Sequence, residues 1–179
     1  MALTPQQQAT LKADIIANGD LNSQPNNSDG AFEIARLYNL LASPDYWVWR
    51  TSVSKAELVQ TTSVDGTTFS WVGTGFITRS QGERDAWREL FNDQGLCNPS
   101  LASVRTAFTD IFSGATAPAP ANRTHLAAIG RRKCTRVEKL FAVDTPGSGA
   151  GRGTTADPDT MGFEGPLSYQ DVELARQLP

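Results

Sequence analysis

The sequence predicts a mainly α fold: a helical bundle domain with a small β-hairpin and an extended C-terminal arm. Three observations lead there. Capping pairs, a Ser or Thr followed three residues later by Gln, Glu or Asp, open segments at Thr4, Ser54, Ser80 and Ser168. Apolar residues in these and neighbouring segments recur at steps of three and four, the helical period. Composition then changes after Val143, where DTPGSGAGRGTTADPDT holds almost nothing apolar and cannot offset its own ordering entropy. The expected organisation is a helical globular domain over 1–143, with a hairpin inserted near 61–72. A flexible Gly/Ser/Thr linker over 144–160 and a docking arm over 161–179 follow.

Thr4 caps the first helix, with Pro5 in its first turn and Leu11 and Ile15 as a narrow apolar stripe. Asn18-Gly19 stops it. Beyond a polar loop through Pro25, Ser28 or Asp29 starts a second helix that runs to Leu41. Its candidate buried set is Phe32, Ala35, Leu37, Tyr38 and Leu41, and Ser43-Pro44 ends it. Tyr46-Trp47-Val48-Trp49 is the densest aromatic run and fits a short strand or a helical turn equally. Beside Arg50 it would either stack nucleic-acid bases or anchor a core or subunit contact.

Ser54 to Glu57 opens a short helix, after which Thr61–Val72 turns β-rich around Asp65-Gly66, a hairpin signal. Ser80 to Glu83 opens a strongly amphipathic helix marked by Ala86, Trp87, Leu90 and Phe91. Asn98-Pro99 restarts a helix whose apolar face is Leu101, Val104, Phe108, Ile111 and Phe112. Ala115–Ala121, ATAPAPA, is a stiff connector. The stretch from Asn122 to Ala142 then reads as one basic amphipathic helix, with Leu126, Ile129, Cys134, Val137, Leu140 and Phe141 at helical spacing. Arg132, Arg136 and Lys139 fall on one of its edges. In the tail, Met161–Leu167 looks extended, and Ser168 caps a last helix carrying Val172, Leu174, Ala175 and Leu178.

At 179 residues the chain is long enough for one domain with a real core. Its net charge of -3 gives no whole-molecule attraction to nucleic acid or anionic membranes. Locally, residues 122–141 carry six basic side chains and one acid, whereas 142–179 carry six acids against two arginines. Those stretches would pair within or between molecules, or remain two solvated faces. Cys97 and Cys134 are far apart in sequence and suggest neither a zinc site nor a disulfide framework. No basic-then-apolar secretory signal is visible at the N-terminus, and no apolar run approaches a bilayer span.

Catalytic chemistry does not declare itself. His125, the single histidine, stands near the start of the basic stretch, where a structural role is the ordinary one. Asp157 and Asp159 fall in the expected linker, where fixed geometry is not expected. The alternating glycines at 147, 149, 151 and 153 lack the strand and helix of a phosphate loop. No enzyme activity, cofactor or metal is expected. The basic stretch would suit DNA phosphates, yet it lacks the paired helix and tight turn of a helix-turn-helix.

Together, SDGAFEIARLYNL (Ser28–Leu40), YWVWRTSV (Tyr46–Val53), RSQGERDAWRELFN (Arg79–Asn92), NPSLASVRTAFTDIFSG (Asn98–Gly114), NRTHLAAIGRRKCTRVEKLFA (Asn122–Ala142) and FEGPLSYQDVELAR (Phe163–Arg176) resemble a family of small structural proteins of tailed bacteriophages. The similarity spans nearly the whole chain and is most like head-tail connector, or neck adaptor, proteins. It implies a virion protein assembled in the bacterial cytoplasm, a homo-oligomeric ring of about twelve copies. The implied partners are the portal and tail or head-closure proteins, with non-specific proximity to DNA and no membrane. A capsid decoration protein, another neck component, and a DNA-binding regulator are the alternatives. The hairpin at Asp65-Gly66 departs from a minimal helical adaptor. The expected partner contacts are Phe163, Leu167 and Tyr169 in the arm and Arg132, Arg136 and Lys139 on the basic face.

Overall fold

The computed structural model describes residues 2–143 and 152–179. In chain order they form α1 (Pro5–Ala17), α2 (Gly19–Asn22), α3 (Ser28–Tyr38), β1 (Trp47–Trp49), β2 (Val53–Ser54) and α4 (Lys55–Leu58). A 3-10 turn at Gly73–Gly75 leads to α5 (Gln81–Glu89), β3 (Leu96–Cys97), α6 (Ala102–Ile111) and α7 (Ala119–Ile129). β4 (Arg131–Lys133), α8 (Arg136–Leu140), β5 (Ala142–Val143), β6 (Thr160–Met161) and α9 (Tyr169–Gln177) complete the order. The fold is mainly α, and its strands are only two or three residues long. The expected single domain divides instead into two compact units.

The first unit comprises the described residues of Met1–Tyr46, Lys133–Thr154 and Asp159–Pro179. Thr4 and Gln7 close the expected capping box on α1, and Leu11 and Ile15 are its buried stripe. On α3 the buried set is Ala31, Ile34, Ala35 and Tyr38, while Phe32 and Leu41 are more than half exposed. The stripe is turned to follow Ile34, which is fully buried. Gly30 is required here, because a Cβ would stand 2.0 Å from the Pro25 carbonyl oxygen.

The expected free arm is part of this core. Phe163, Leu167, Val172 and Ala175 are buried together with Leu3, Leu11, Ile15 and Ile34, and α9 packs against α1 and α3. Burial of four apolar side chains supplies the driving force, and directional bonds select the register. The Asn39 side chain donates to the Leu167 carbonyl at 3.0 Å and accepts from its N–H at 2.8 Å. Asp171 caps α9 and also accepts from the Leu3 N–H at 3.3 Å. Glu138 caps α8 and accepts from the Gly165 N–H at 3.2 Å.

Of the expected linker, residues 144–151 lie outside the described residues. The remainder has fixed structure. β6 pairs antiparallel with β5, Ala142 opposite Met161. Asp159 is buried and accepts from the Tyr46 hydroxyl at 2.8 Å and from the Thr160 N–H at 2.9 Å.

The second unit comprises Trp47–Arg132 and Thr155–Pro158. Its core joins Val53, Leu58, Phe69, Trp87, Val104, Phe108, Ile111, Phe112, Leu126 and Ile129. Trp87 is the hub: the rings of Phe69, Phe76, Phe91, Phe108 and Phe112 all lie within 6.4 Å of it, centroid to centroid. Of the aromatic run Tyr46–Trp49, Trp47–Trp49 takes the strand alternative as β1, with Val48 buried. Capping boxes at Ser54–Glu57 and Ser80–Glu83 open α4 and α5 as expected.

Two expectations fail in instructive ways. The hairpin shrinks to one bridge, Val64 with Thr67, across Asp65 (φ 49°) and Gly66 (φ 76°). The strands stop because the Asn122 amide takes over as partner, accepting from the Ser70 N–H at 2.8 Å and donating to its carbonyl at 2.9 Å. The single basic helix is also broken. α7 ends at Ile129, with Gly130 as its C-cap, and Arg131–Lys133 turns extended before Thr135 caps α8. A Cβ at Gly130 would lie 3.0 Å from the Pro99 Cβ and 3.1 Å from the Leu126 carbonyl oxygen.

Candidate functional site

The break at Gly130 decides which basic side chains share a surface. Arg132 lies in β4, outside α8, and falls in the second unit, so the three do not share one helix edge. Arg136 and Lys139 remain together on α8 in the first unit. α8 is held beside the end of α3 by backbone pairing. The Arg136 N–H donates to the Leu40 carbonyl at 2.9 Å, and the Ala42 N–H donates to the Cys134 carbonyl at 3.0 Å.

These elements enclose a cleft of about 400 Å³. The last turn of α1 contributes Asp14 and Asn18, α3 contributes Tyr38, the following segment Ala42 and Ser43, and α8 Arg136, Lys139 and Leu140. The Tyr38 hydroxyl donates to Asp14 at 2.5 Å. The Arg136 guanidinium sits 5.7 Å from the centre of the Tyr38 ring, and the Lys139 ammonium 5.3 Å from that of Tyr46. Burial, and then the bond to Asp14, push the Tyr38 phenol well above its ordinary range, with Arg136 pulling weakly the other way. The Tyr46 phenol is pushed up to about 12 by burial and by its bond to Asp159. Both phenols are therefore hydrogen-bond donors at neutral pH.

Neither Arg136 nor Lys139 has a carboxylate within ion-pair distance among the described residues. Other cations are engaged: Arg131 with Asp65, Lys133 with Asp45, and Arg79 with Glu83 and the Thr74 and Ser113 carbonyls. A cation resting on an aromatic face keeps its charge unneutralised. The cleft thus has an excess of positive charge and two oriented cations.

The three arm residues are placed differently from expectation. Phe163 and Leu167 are core side chains, 5% and 3% exposed. Tyr169 is half-buried and stacks on Phe32, with ring centroids 4.1 Å apart. Asp14, Asn18 and Ser43 were not legible as site residues, since nothing in α1 or the α3 terminus signals that α8 returns beside them.

In the second unit the single histidine is fully buried. His125 Nδ1 lies 3.1 Å from the Thr67 carbonyl oxygen, and Nε2 has no hydrogen-bond partner. Burial pushes its pKa down, against the opposing bond to Thr67. Among the described residues no three His, Cys, Asp or Glu side chains are grouped to hold a metal ion, and no helix is long and apolar enough to cross a membrane. No protein-family model, no curated protein and no solved structure matches the chain.

Proposed function

We propose that this chain is a structural protein of a tailed-bacteriophage virion, a head-to-tail adaptor whose copies form a ring between the portal and the tail. The resemblance across nearly the whole sequence supplies the phage assignment. The structural observation that supports a contact-making role is the loop from Trp71 to Ile77. Val72 and Ile77 are 71% and 64% exposed, and Trp71 39%. The Ile77 N–H donates to the Trp71 carbonyl at 3.2 Å, so the loop is closed and presents three large apolar side chains to solvent. Isolated apolar side chains on a surface need no explanation, but a clustered group is the usual mark of a contact.

In this reading α1, α3 and α9 act as a small helical bundle. The C-terminal segment stabilises that bundle and is not a free docking arm, because Phe163, Leu167, Val172 and Ala175 are already buried in the core. Docking surfaces are then the apolar loop and the basic cleft. Copy number per virion, from quantitative mass spectrometry normalised to the major capsid protein, tests the reading. About a dozen copies are expected of a neck ring. Hundreds would make the chain a shell decoration protein, and absence from virions would remove it from the particle altogether.

A further inference from the structure

We infer that the cleft of the first unit is a carboxylate-binding site, in which Arg136 and Lys139 receive an acidic side chain of a partner protein. The charge count selects the ligand. Arg136 and Lys139 bring two positive charges and Asp14 one negative, and the Tyr38 hydroxyl already occupies that carboxylate. One further carboxylate balances the cleft, whereas a phosphate dianion would place excess negative charge beside Asp14.

Geometry supports the same ligand. The half-buried Arg136 offers a planar fork that suits a carboxylate's two oxygens, and Lys139 adds a point charge one turn away. The Tyr38 and Tyr46 rings position both cations without neutralising them. The Asn18 amide and Ser43 hydroxyl add polar partners on the wall. A volume of about 400 Å³ accommodates one acidic side chain with its flanking backbone.

The test is a calorimetric titration of the full chain at low ionic strength. The ligands are a short Glu-containing peptide with an amidated C-terminus, its Gln counterpart, a neutral peptide with a free C-terminal carboxylate, and inorganic phosphate. The Glu peptide is expected to bind, and the Gln counterpart to show no heat. Lys139 is exposed, so Lys139→Gln keeps the fold, which an unchanged thermal midpoint verifies. It should weaken the Glu peptide about ten-fold, as should Arg136→Gln, while Lys139→Arg retains affinity.

Added salt should weaken binding further. No binding of the Glu peptide overturns the site, as does an affinity that Lys139→Gln leaves unchanged. Tighter binding of phosphate overturns the carboxylate assignment. Binding of the free-terminus peptide alone transfers the site from acidic side chains to chain ends and overturns the stated source. The inference is independent of the ring reading: one is measured on the isolated chain, the other in virions.

Discussion

The first unit gathers its core from three separated chain segments, whereas the second takes nearly all of its core from the continuous stretch Trp47–Arg132. Their chemistry differs accordingly. The second unit is centred on Trp87 and its ring of phenylalanines, and its long-range polar bonds, such as the Asn122 amide on Ser70 and Arg79 on the Ser113 carbonyl, stay within that one continuous stretch. The first has Asn39, Glu138 and Asp171 reaching from one segment to the backbone of another. Apolar burial is non-directional. A unit assembled from distant segments needs directional bonds to decide which segment returns and in what register. The chain also labels the two regions separately: all four tryptophans lie in the second unit and all three tyrosines in the first.

The largest effect that would break this comparison comes from ending the chain after Thr160. That removes Phe163, Leu167, Val172 and Ala175 from the first core. At about 1.5–3 kcal/mol for each large apolar side chain, together with the lost polar bonds, the cost rivals a whole domain's stability. The first unit is expected to lose helical circular dichroism and become protease-sensitive at α1 and α3. A truncated chain with the remaining helical signal and protease resistance intact would restore the tail to the status of a dispensable arm.

Trp87→Ala tests the other side. Removing the hub of the aromatic cluster should destabilise the second unit by about 3–5 kcal/mol. The three remaining tryptophans report it as a lower urea midpoint in their emission. A loss below about 1 kcal/mol would mean that the cluster relaxes to fill the space, and that packing there is not centred on this ring. Asn39→Ala should cost less, about 1–3 kcal/mol, because it leaves the N–H and C=O of buried Leu167 without partners. Asn39→Asp, which keeps the acceptor and loses the donor, should fall between wild type and Ala at a pH where it is charged. Equal stability of all three would show that apolar burial alone selects the tail's register.

Legibility from sequence divides along the same line. Boxes at Thr4, Ser54, Ser80 and Ser168 were readable because a cap and its partner sit three residues apart. The box at Thr135–Glu138 carries the same local signal, and with Gly130 it marks the break in the basic stretch. The apolar periodicity across that break masked it. The return of Phe163 and Leu167 could not be read, because low local hydrophobicity in 144–160 says nothing about what a later segment meets. Nor could the Asn122 amide replacing a partner strand at Ser70, since a side chain that imitates backbone leaves no periodic trace. Of the site, Arg136 and Lys139 were legible as charge on one helix edge. The aromatic rings beneath them and the α1 wall are products of tertiary return.

The smallest effect separates the units by pH. Thr67 offers His125 only a carbonyl oxygen, so Nδ1 carries the proton and Nε2 presents a buried lone pair without a donor. Protonating Nε2 in the folded chain would create a buried charge with no acceptor, which is why the folded pKa lies below the ordinary 6.5. The unfolded chain therefore binds the proton first. Stability of the second unit is complete above about pH 6.5 and falls as pH drops from there toward the folded value, by at most about 1.4 kcal/mol per pH unit. Glu57 and Glu83 act lower. The Ser54 backbone N–H holds Glu57 down; in Glu83 burial pushes up, but bonds from Ser80 and Arg79 outweigh it. Their contribution is lost only below the ordinary carboxylate value of 4.5. Urea midpoints from tryptophan emission should decline between pH 6.5 and 5, and His125→Gln should flatten that decline even if its baseline is lower. A decline that survives His125→Gln would assign the acid sensitivity to carboxylates and leave His125 as an ordinary packed ring.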